Sequence, residues 1–169
     1  MDLEEMLDVW KEVRTGLIAE LEQIPAEQFG FQATPESRSI AGMIRHIVEA
    51  QKFLMSELCR PDTNFKRVPI RELVEKHAAE AHSGGDKEEL IGSLRSTMES
   101  AEADLRSFGE DALRKKVEGL DGKTISKLKF LYLYITHEMY HRGQISVYER
   151  LMKIEPALTT KLKEFLAAQ

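Results

Sequence analysis

The sequence predicts an all-α protein: a four-helix bundle with long connections and a short extra helix at its C-terminal end. Three observations carry that prediction. Four long stretches repeat apolar residues at alternating steps of three and four, the period of a helix with one buried face. Proline, glycine and capping residues fall between those stretches. No run alternates apolar and polar residues convincingly enough to read as a strand, and there is no internal repeat or low-complexity tract. With 169 residues, 42% hydrophobic and 31% charged, the chain is long enough for one globular domain spanning 1–169 with a sizeable core.

The first helix shows Leu3, Met6, Trp10, Val13, Leu17, Leu21 and Ile24 on one face and stops at Pro25. Gly16 sits inside it at a cost of about 1 kcal/mol. Residues 25–38 carry two prolines and turn formers and read as a connection, tucked onto the body by Phe29 and Phe31. A second helix opens with Ser37 or Ser39 as N-cap and runs to Arg60, burying Ile40, Met43, Ile44, Ile47, Ala50, Leu54 and Leu58. His46 lies on the flank of that face, in line with Met43, Ala50 and Phe53, and so points inward or along a groove. After a loop at 61–69, a short helix runs from Ile70 to about Ala81 and breaks at Ser83-Gly84-Gly85. Asp86 with Glu89 resembles a capping box for a helix with the seam Leu90, Leu94, Met98, Ala101, Leu105 and Phe108, closed by Gly109. Residues 110–123 read as a connection anchored by Leu113, Val117 and Leu120, with a short extended piece near Arg114 to Glu118. The fourth long helix runs from near Thr124 to about Lys153, with the seam Phe130, Tyr134, His137, His141, Gln144, Tyr148 and Leu151. A last segment, Ala157 to Ala168, reads as a short helix laid over the bundle end.

Lys and Arg total 24 against 29 Asp and Glu, a formal net charge of -5, which argues against a general phosphate-backbone binder; no nucleic-acid partner is expected. The N-terminus reads as acidic and amphipathic rather than as a basic leader followed by an apolar run, and no stretch approaches the roughly 18 apolar residues of a membrane span. The expectation is a cytoplasmic protein with no membrane partner. The single cysteine, Cys59, cannot form an intramolecular disulfide.

The chemistry concentrates in Ile135 to Ile145, ITHEMYHRGQI. His137 and His141 are one helical turn apart, rotated by about 40° and raised by about 6 Å, so both imidazoles leave one face and can share an ion. Buried imidazole nitrogens need partners, at a cost of roughly 1–3 kcal/mol each when they lack them. A divalent metal supplies one, and His46 from the second helix completes a three-histidine set that leaves coordination positions open. The bland alternative is hydrogen bonding to neighbours such as Tyr134 or Glu138. HEMYH also matches HExxH, in which the glutamate serves a zinc protease as base. The extended form is absent, because Gly143 falls two residues after His141 and no histidine follows, although a downstream carboxylate such as Glu164 fits by spacing. Glu138 is therefore either a general base or the partner of a nearby cation. Arg142 faces an anionic substrate or makes a helix salt bridge, Gly143 permits close helix approach, and Gln144 hydrogen-bonds within the bundle. Tyr134, Tyr140 and Tyr148 pack or line a pocket. His77 and His82, about 140° apart, make no pair and read as surface residues. Cys59 stands about 20 Å along the helix from His46, so any thiol nucleophile is external.

Arg38 to Leu54, RSIAGMIRHIVEAQKFL, together with HEMYHRGQI at His137 to Ile145, resembles the DinB-like superfamily of four-helix-bundle metalloproteins, also called DinB/YfiT-like. The likeness covers nearly the whole chain. It implies a metal, zinc or nickel, held by His46, His137 and His141, and in some relatives a transferase or isomerase reaction with a low-molecular-weight thiol. A three-imidazole site leaves the ion dipositive, so a bound thiol or water loses its proton more readily. The expected function is a metal-dependent thiol S-transferase or hydrolase acting on a small molecule, with a homodimer as the assembly. The competing reading is a non-catalytic, metal-stabilised protein that binds a ligand or partner.

Overall fold

The computed structural model describes residues 1–81, 85–119 and 121–169. Four long helices, α1 (Leu3–Gln23), α2 (Ile40–Leu58), α4 (Lys87–Phe108) and α6 (Lys127–Leu151), form the bundle. Helix α3 (Ile70–Ala81) packs on α2, α5 (Glu110–Leu113) continues from α4, and α7 (Ala157–Ala167) lies against α1. Each of α1 and α2 touches both α4 and α6, which places α1 and α2 across one diagonal. Among the described residues, no helix is long and apolar enough to cross a membrane.

Helix direction explains the long connections. Trp10 bonds to Glu138 and Glu20 to Arg142, so α1 and α6 run the same way. Arg14 meets the Leu94 carbonyl while Arg106 pairs with Glu4, so α4 runs against α1. The Tyr134 hydroxyl reaches the Ile47 carbonyl and the Tyr148 hydroxyl reaches that of Arg38, so α2 runs against α6. Helices α2 and α4 are therefore parallel neighbours, and α3 lies within the crossover between them. The other two links, α1 to α2 and α4 to α6, each span a diagonal.

The helix ends follow local chemistry. Asp2 and Glu5 form a complete capping box on α1, and Ser39, Asp86 and Ser126 cap α2, α4 and α6 through side-chain oxygens that accept from backbone N–H groups. The C-terminus of α2 is held by Lys127, buried to 1% exposure, whose ammonium donates to the Leu58 and Arg60 carbonyls.

The expectation of no strand is corrected, and the extended piece expected near Arg114 to Glu118 contains one strand of a hairpin. Lys116–Glu118 (β1) pairs antiparallel with Thr124–Ser126 (β2), so α6 starts at Lys127 rather than near Thr124. Val117 opposite Ile125 gives this hairpin its single partly buried pair, too short a run for alternation to show in the sequence. The α6 seam also shifts: Leu128, Leu131, Tyr134, Ile135, Glu138, His141, Ile145, Tyr148 and Glu149 are buried, whereas Leu151 is 57% exposed. The side chain of His77, and His82 and Leu120 altogether, lie outside the described residues.

The apolar core is in two halves. One gathers Leu7, Trp10, Leu58, Phe65, Leu105 and Leu131; the other gathers Leu17, Leu21, Ile40, Ile44, Leu94 and Ile145. Between them every bundle helix contributes a polar residue: Arg14, Gln51, Thr97, and Glu138 with the neighbouring histidines.

Candidate metal centre

Helices α2 and α6, adjacent and antiparallel, bring three imidazoles together at the edge of this polar layer. His46 Nε2 lies 3.1 Å from His137 Nε2, which lies 3.0 Å from His141 Nε2. The candidate ligand atoms all fall within 4.8 Å of one another. The rings stand edge-on, with interplanar angles of 74°, 85° and 86°. His141 is buried, and His46 and His137 are half-buried.

The hydrogen-bond chemistry of this cluster is incomplete by itself. An imidazole nitrogen offers either an N–H or a lone pair, so three Nε2 atoms packed head to head cannot satisfy one another. His141 Nδ1 lies 2.6 Å from the Gln144 amide oxygen, which only accepts; Nδ1 therefore carries the proton and the Nε2 lone pair points into the cluster. Burial pushes the proton affinity of all three down, and the nearby Arg38 charge adds to the effect. His46 falls to about 4. At neutral pH the three rings are uncharged and their Nε2 atoms face one another.

That donor set fits a divalent ion. Zinc–nitrogen bonds of about 2.0–2.1 Å in tetrahedral geometry place ligand nitrogens roughly 3.3 Å apart, a few tenths of an ångström from the separations here. Among the described residues the convergent group contains only these three histidines, and Glu164 is not part of it. Gln144 acts one step out, fixing the His141 ring.

Glu138 does something else. It is fully buried and faces the bundle core, where Oε1 accepts from Arg14 Nε at 2.5 Å and Oε2 accepts from Trp10 Nε1 and Arg14 Nη2, each at 2.8 Å. Arg14 also donates to Gln51 and to the Leu94 carbonyl. Of the two roles open to Glu138, the structure shows the cation partner. Arg142 likewise makes a salt bridge, to Glu20 at 3.2 Å. Its guanidinium packs over Gly16, 2.2 Å from where a Cβ there would stand, so any side chain at that position would displace it. The expected role of Gly143 is corrected, since it is exposed and no neighbour comes within 4 Å of a Cβ placed there. Cys59 is half-buried, away from the histidines, and burial pushes its thiol up to about 11.

Two cavities flank the imidazoles. One of about 360 Å³ is lined by Ala50, Phe53, Leu54, Phe65, Phe130 and Leu133 with Tyr134 and His137. The other, about 460 Å³, is lined by Glu36, Ser37, Arg38, Met43, Gln144 and Tyr148. Sequence reasoning placed Tyr134 and Tyr148 as packing or pocket residues and missed Arg38, whose position in a connection gives no periodic signal. It also missed Arg14, Gln51 and Lys127; polar residues on otherwise apolar faces were the available sign.

Residues 9–145 match the sequence model of the DinB superfamily. Similar solved structures include YfiT from Bacillus subtilis, described as a probable metal-dependent hydrolase with an unusual four-helix bundle topology: 15% identity, TM-score 0.70, covering 90% of this chain and 88% of that one. A DinB-like protein from Bacillus cereus is 19% identical with TM-score 0.68, covering 92% and 95%. The mycothiol-dependent maleylpyruvate isomerase is 17% identical with TM-score 0.69 over 86% of this chain, which spans 61% of that protein's length. At these identities the likeness is one of fold. Comparison with curated proteins returned no match.

Proposed function

The chain belongs to the DinB superfamily, and on that premise we propose that it is a metal-dependent enzyme that activates a small thiol, or water, for attack on a small-molecule electrophile. The observation that carries the reading is the convergence of three neutral Nε2 atoms beside two cavities. His46, His137 and His141 would hold the ion, with zinc or nickel suited to an all-imidazole set. When bound, the ion supplies Lewis acidity that lowers the proton affinity of a thiol or water placed in its open positions. The chain's own residues do the rest. Gln144 holds His141 in the ligating tautomer. Tyr134 lines the apolar cavity beside His137, and its hydroxyl bonds to the carbonyl of Ile47, next to His46, fixing the two ligand-bearing helices against each other. The wall around Phe53 and Phe130 gives that side of the site an apolar lining. In the thiol reaction the sulfur lone pair forms a C–S bond at the electrophilic carbon, whose leaving group departs with its bonding pair.

The descriptions of YfiT and of the mycothiol-dependent isomerase support this reading. Metal content is the first test: protein purified without chelator should carry about one equivalent of divalent metal, and His137→Ala should carry none. Stoichiometric metal in that variant would defeat the site. Activity is tested by offering the loaded protein a panel of thiols with monochlorobimane as electrophile. Acceleration by one thiol supports the transferase; no acceleration with any thiol leaves metal-supported ligand binding as the better account.

A second copy of the chain is the partner proposed for α6. Its outer stripe presents Tyr132, Met139, Tyr140, Val147 and Leu151, each between 48% and 64% exposed. Light scattering should report a dimer that Val147→Lys dissociates; a monomeric parent protein would remove the proposal.

A further inference from the structure

The two cavities beside the histidines lie on one continuous face and differ in kind. On α2, Met43 stands about one turn before His46, with Ala50 and Phe53 one and two turns after it. On the antiparallel α6, Leu133 and Phe130 precede His137 by one and two turns, while Gln144 and Tyr148 follow His141 by one and two turns. The histidines therefore sit between an aromatic end and a polar end. Phe65 anchors the aromatic end, with ring centroids 6.1 Å from Phe53 and 4.4 Å from Phe130. Its volume, about 360 Å³, is at the small end of ligand pockets and suits an apolar group about the size of a ring.

The polar end holds an unused cation. Arg38 is exposed and takes part in no ion pair among the described residues, although most other arginines of the chain do. Its backbone is nonetheless fixed: the Tyr148 hydroxyl donates to the Arg38 carbonyl at 3.1 Å, and the Tyr148 ring packs edge-on against Phe31 at 5.4 Å. A guanidinium held at the rim of a cavity is suited to an oxyanion. With Glu36 lining the same recess, one negative charge is better matched there than two.

We propose that the ligand of this cleft is a small carboxylate with an apolar arm, the arm packed on Phe53, Phe65 and Phe130 and the carboxylate held by Arg38, so that the middle of the molecule faces the histidines. The assignment deepens the proposed function by naming its substrate class and rests on that reading for the location of the chemistry. Recognition of the carboxylate by Arg38 does not need the metal, which keeps the two separable.

The test is a calorimetric titration of metal-loaded and metal-free protein with phenylalkanoates from phenylacetate to phenyloctanoate, alongside the matching phenylalkanols and phenylalkylphosphonates. The best acid should bind at least about tenfold more tightly than its alcohol in both forms of the protein, the loss that one charge-assisted hydrogen bond implies. Arg38→Gln should abolish that preference and leave alcohol binding unchanged, and, because Arg38 is exposed, the substitution leaves the packing of the bundle intact. Phe53→Ser should weaken acid and alcohol alike. Equal affinity for acid and alcohol, an acid preference that survives Arg38→Gln or disappears with the metal, tighter binding of the dianionic phosphonates, or no binding at all would each overturn the proposal. Failure of the metal reading would appear instead as protein without metal whose acid preference is intact.

Discussion

Two polar clusters share helix α6 and touch through adjacent residues, yet they are built on opposite principles. Around Glu138, donors and acceptors are matched: Arg14, Trp10, Gln51 and Tyr134 close the set, and α4 contributes the Leu94 carbonyl. Around His137, one residue earlier, three imidazole Nε2 atoms face one another, and no placement of their protons satisfies all three. The first cluster is saturated by the protein. On the proposed reading, a metal ion completes the second. The difference separates a polar group that fixes helix register from one that waits for a ligand, although both interrupt the same apolar core.

The largest expected effect comes from breaking the saturated cluster. Glu138→Ala leaves the Arg14 guanidinium, 3% exposed, without its counter-charge, and loss of one partner of a buried pair costs about 3–5 kcal/mol. Thermal unfolding should show that loss in protein with and without metal. Replacing both partners by residues of similar volume, Arg14→Met with Glu138→Leu, should recover much of it, because no buried charge is then left over. If Glu138→Ala unfolded no earlier but lost activity, the assignment of Glu138 to structure would be wrong.

The open cluster should respond in the other way. Gln144→Ala removes the acceptor that holds the His141 proton on Nδ1, and such supporting bonds are worth about 10–100-fold in metal affinity. Competition with a chromogenic chelator measures it, and the metal-free protein should unfold at nearly its original temperature. pH sharpens the contrast further. In the folded protein the imidazoles resist protonation, His46 down to about 4, while in the unfolded chain they protonate near 6.5. Their contribution is therefore complete above pH 6.5 and is lost as pH falls from there toward 4, because the unfolded state takes up protons first. Bound metal should deepen the loss, since acid also displaces the ion.

The contrast between the clusters also explains what the sequence made legible. His137 and His141 could be paired from their one-turn spacing alone, whereas His46, on the flank of another helix, was joined to them by its inward position and by the resemblance to the DinB-like superfamily. The four long helices were legible for the same reason. Arg14, Gln51 and Glu138 were not, because their pairing depends on which helices become neighbours, and the order around the bundle is set by diagonal connections that leave no periodic mark. Of the hairpin at 116–126 only the first strand was legible, as the extended piece near Arg114 to Glu118, because three residues per strand are too few to alternate. The seam of α6 was misread where Glu138 and Glu149 stand, since charged residues at buried positions look like the solvent face until their partners are known.

Glu149 offers the smallest effect and the finest test of the contrast, because it is unsatisfied and yet lies outside the histidine cluster. It is fully buried, and neither carboxyl oxygen meets a donor among the described residues. Its neighbour Glu20 is an acceptor, already engaged with Arg142 and with the backbone N–H groups of Ala157 and Leu158 at the start of α7. Burial, with the Glu20 charge beside it, pushes Glu149 up to about 8. A proton on Glu149 then supplies the missing donor, so here the unsatisfied atoms call for nothing larger than a hydrogen. The unfolded carboxyl ionises near 4.5, so as pH rises from 4.5 toward 8 the unfolded state loses a proton that the folded state keeps, and stability declines across that window. Glu149→Gln carries a permanent donor and should remove the decline, raising the melting temperature by about 2–4 °C at pH 8 for each kcal/mol recovered and leaving it unchanged at pH 4.5. A variant that melts in parallel with the parent protein at every pH would show that Glu149 is ionised in the folded state, and would require a cation beside Glu20 in place of the proton.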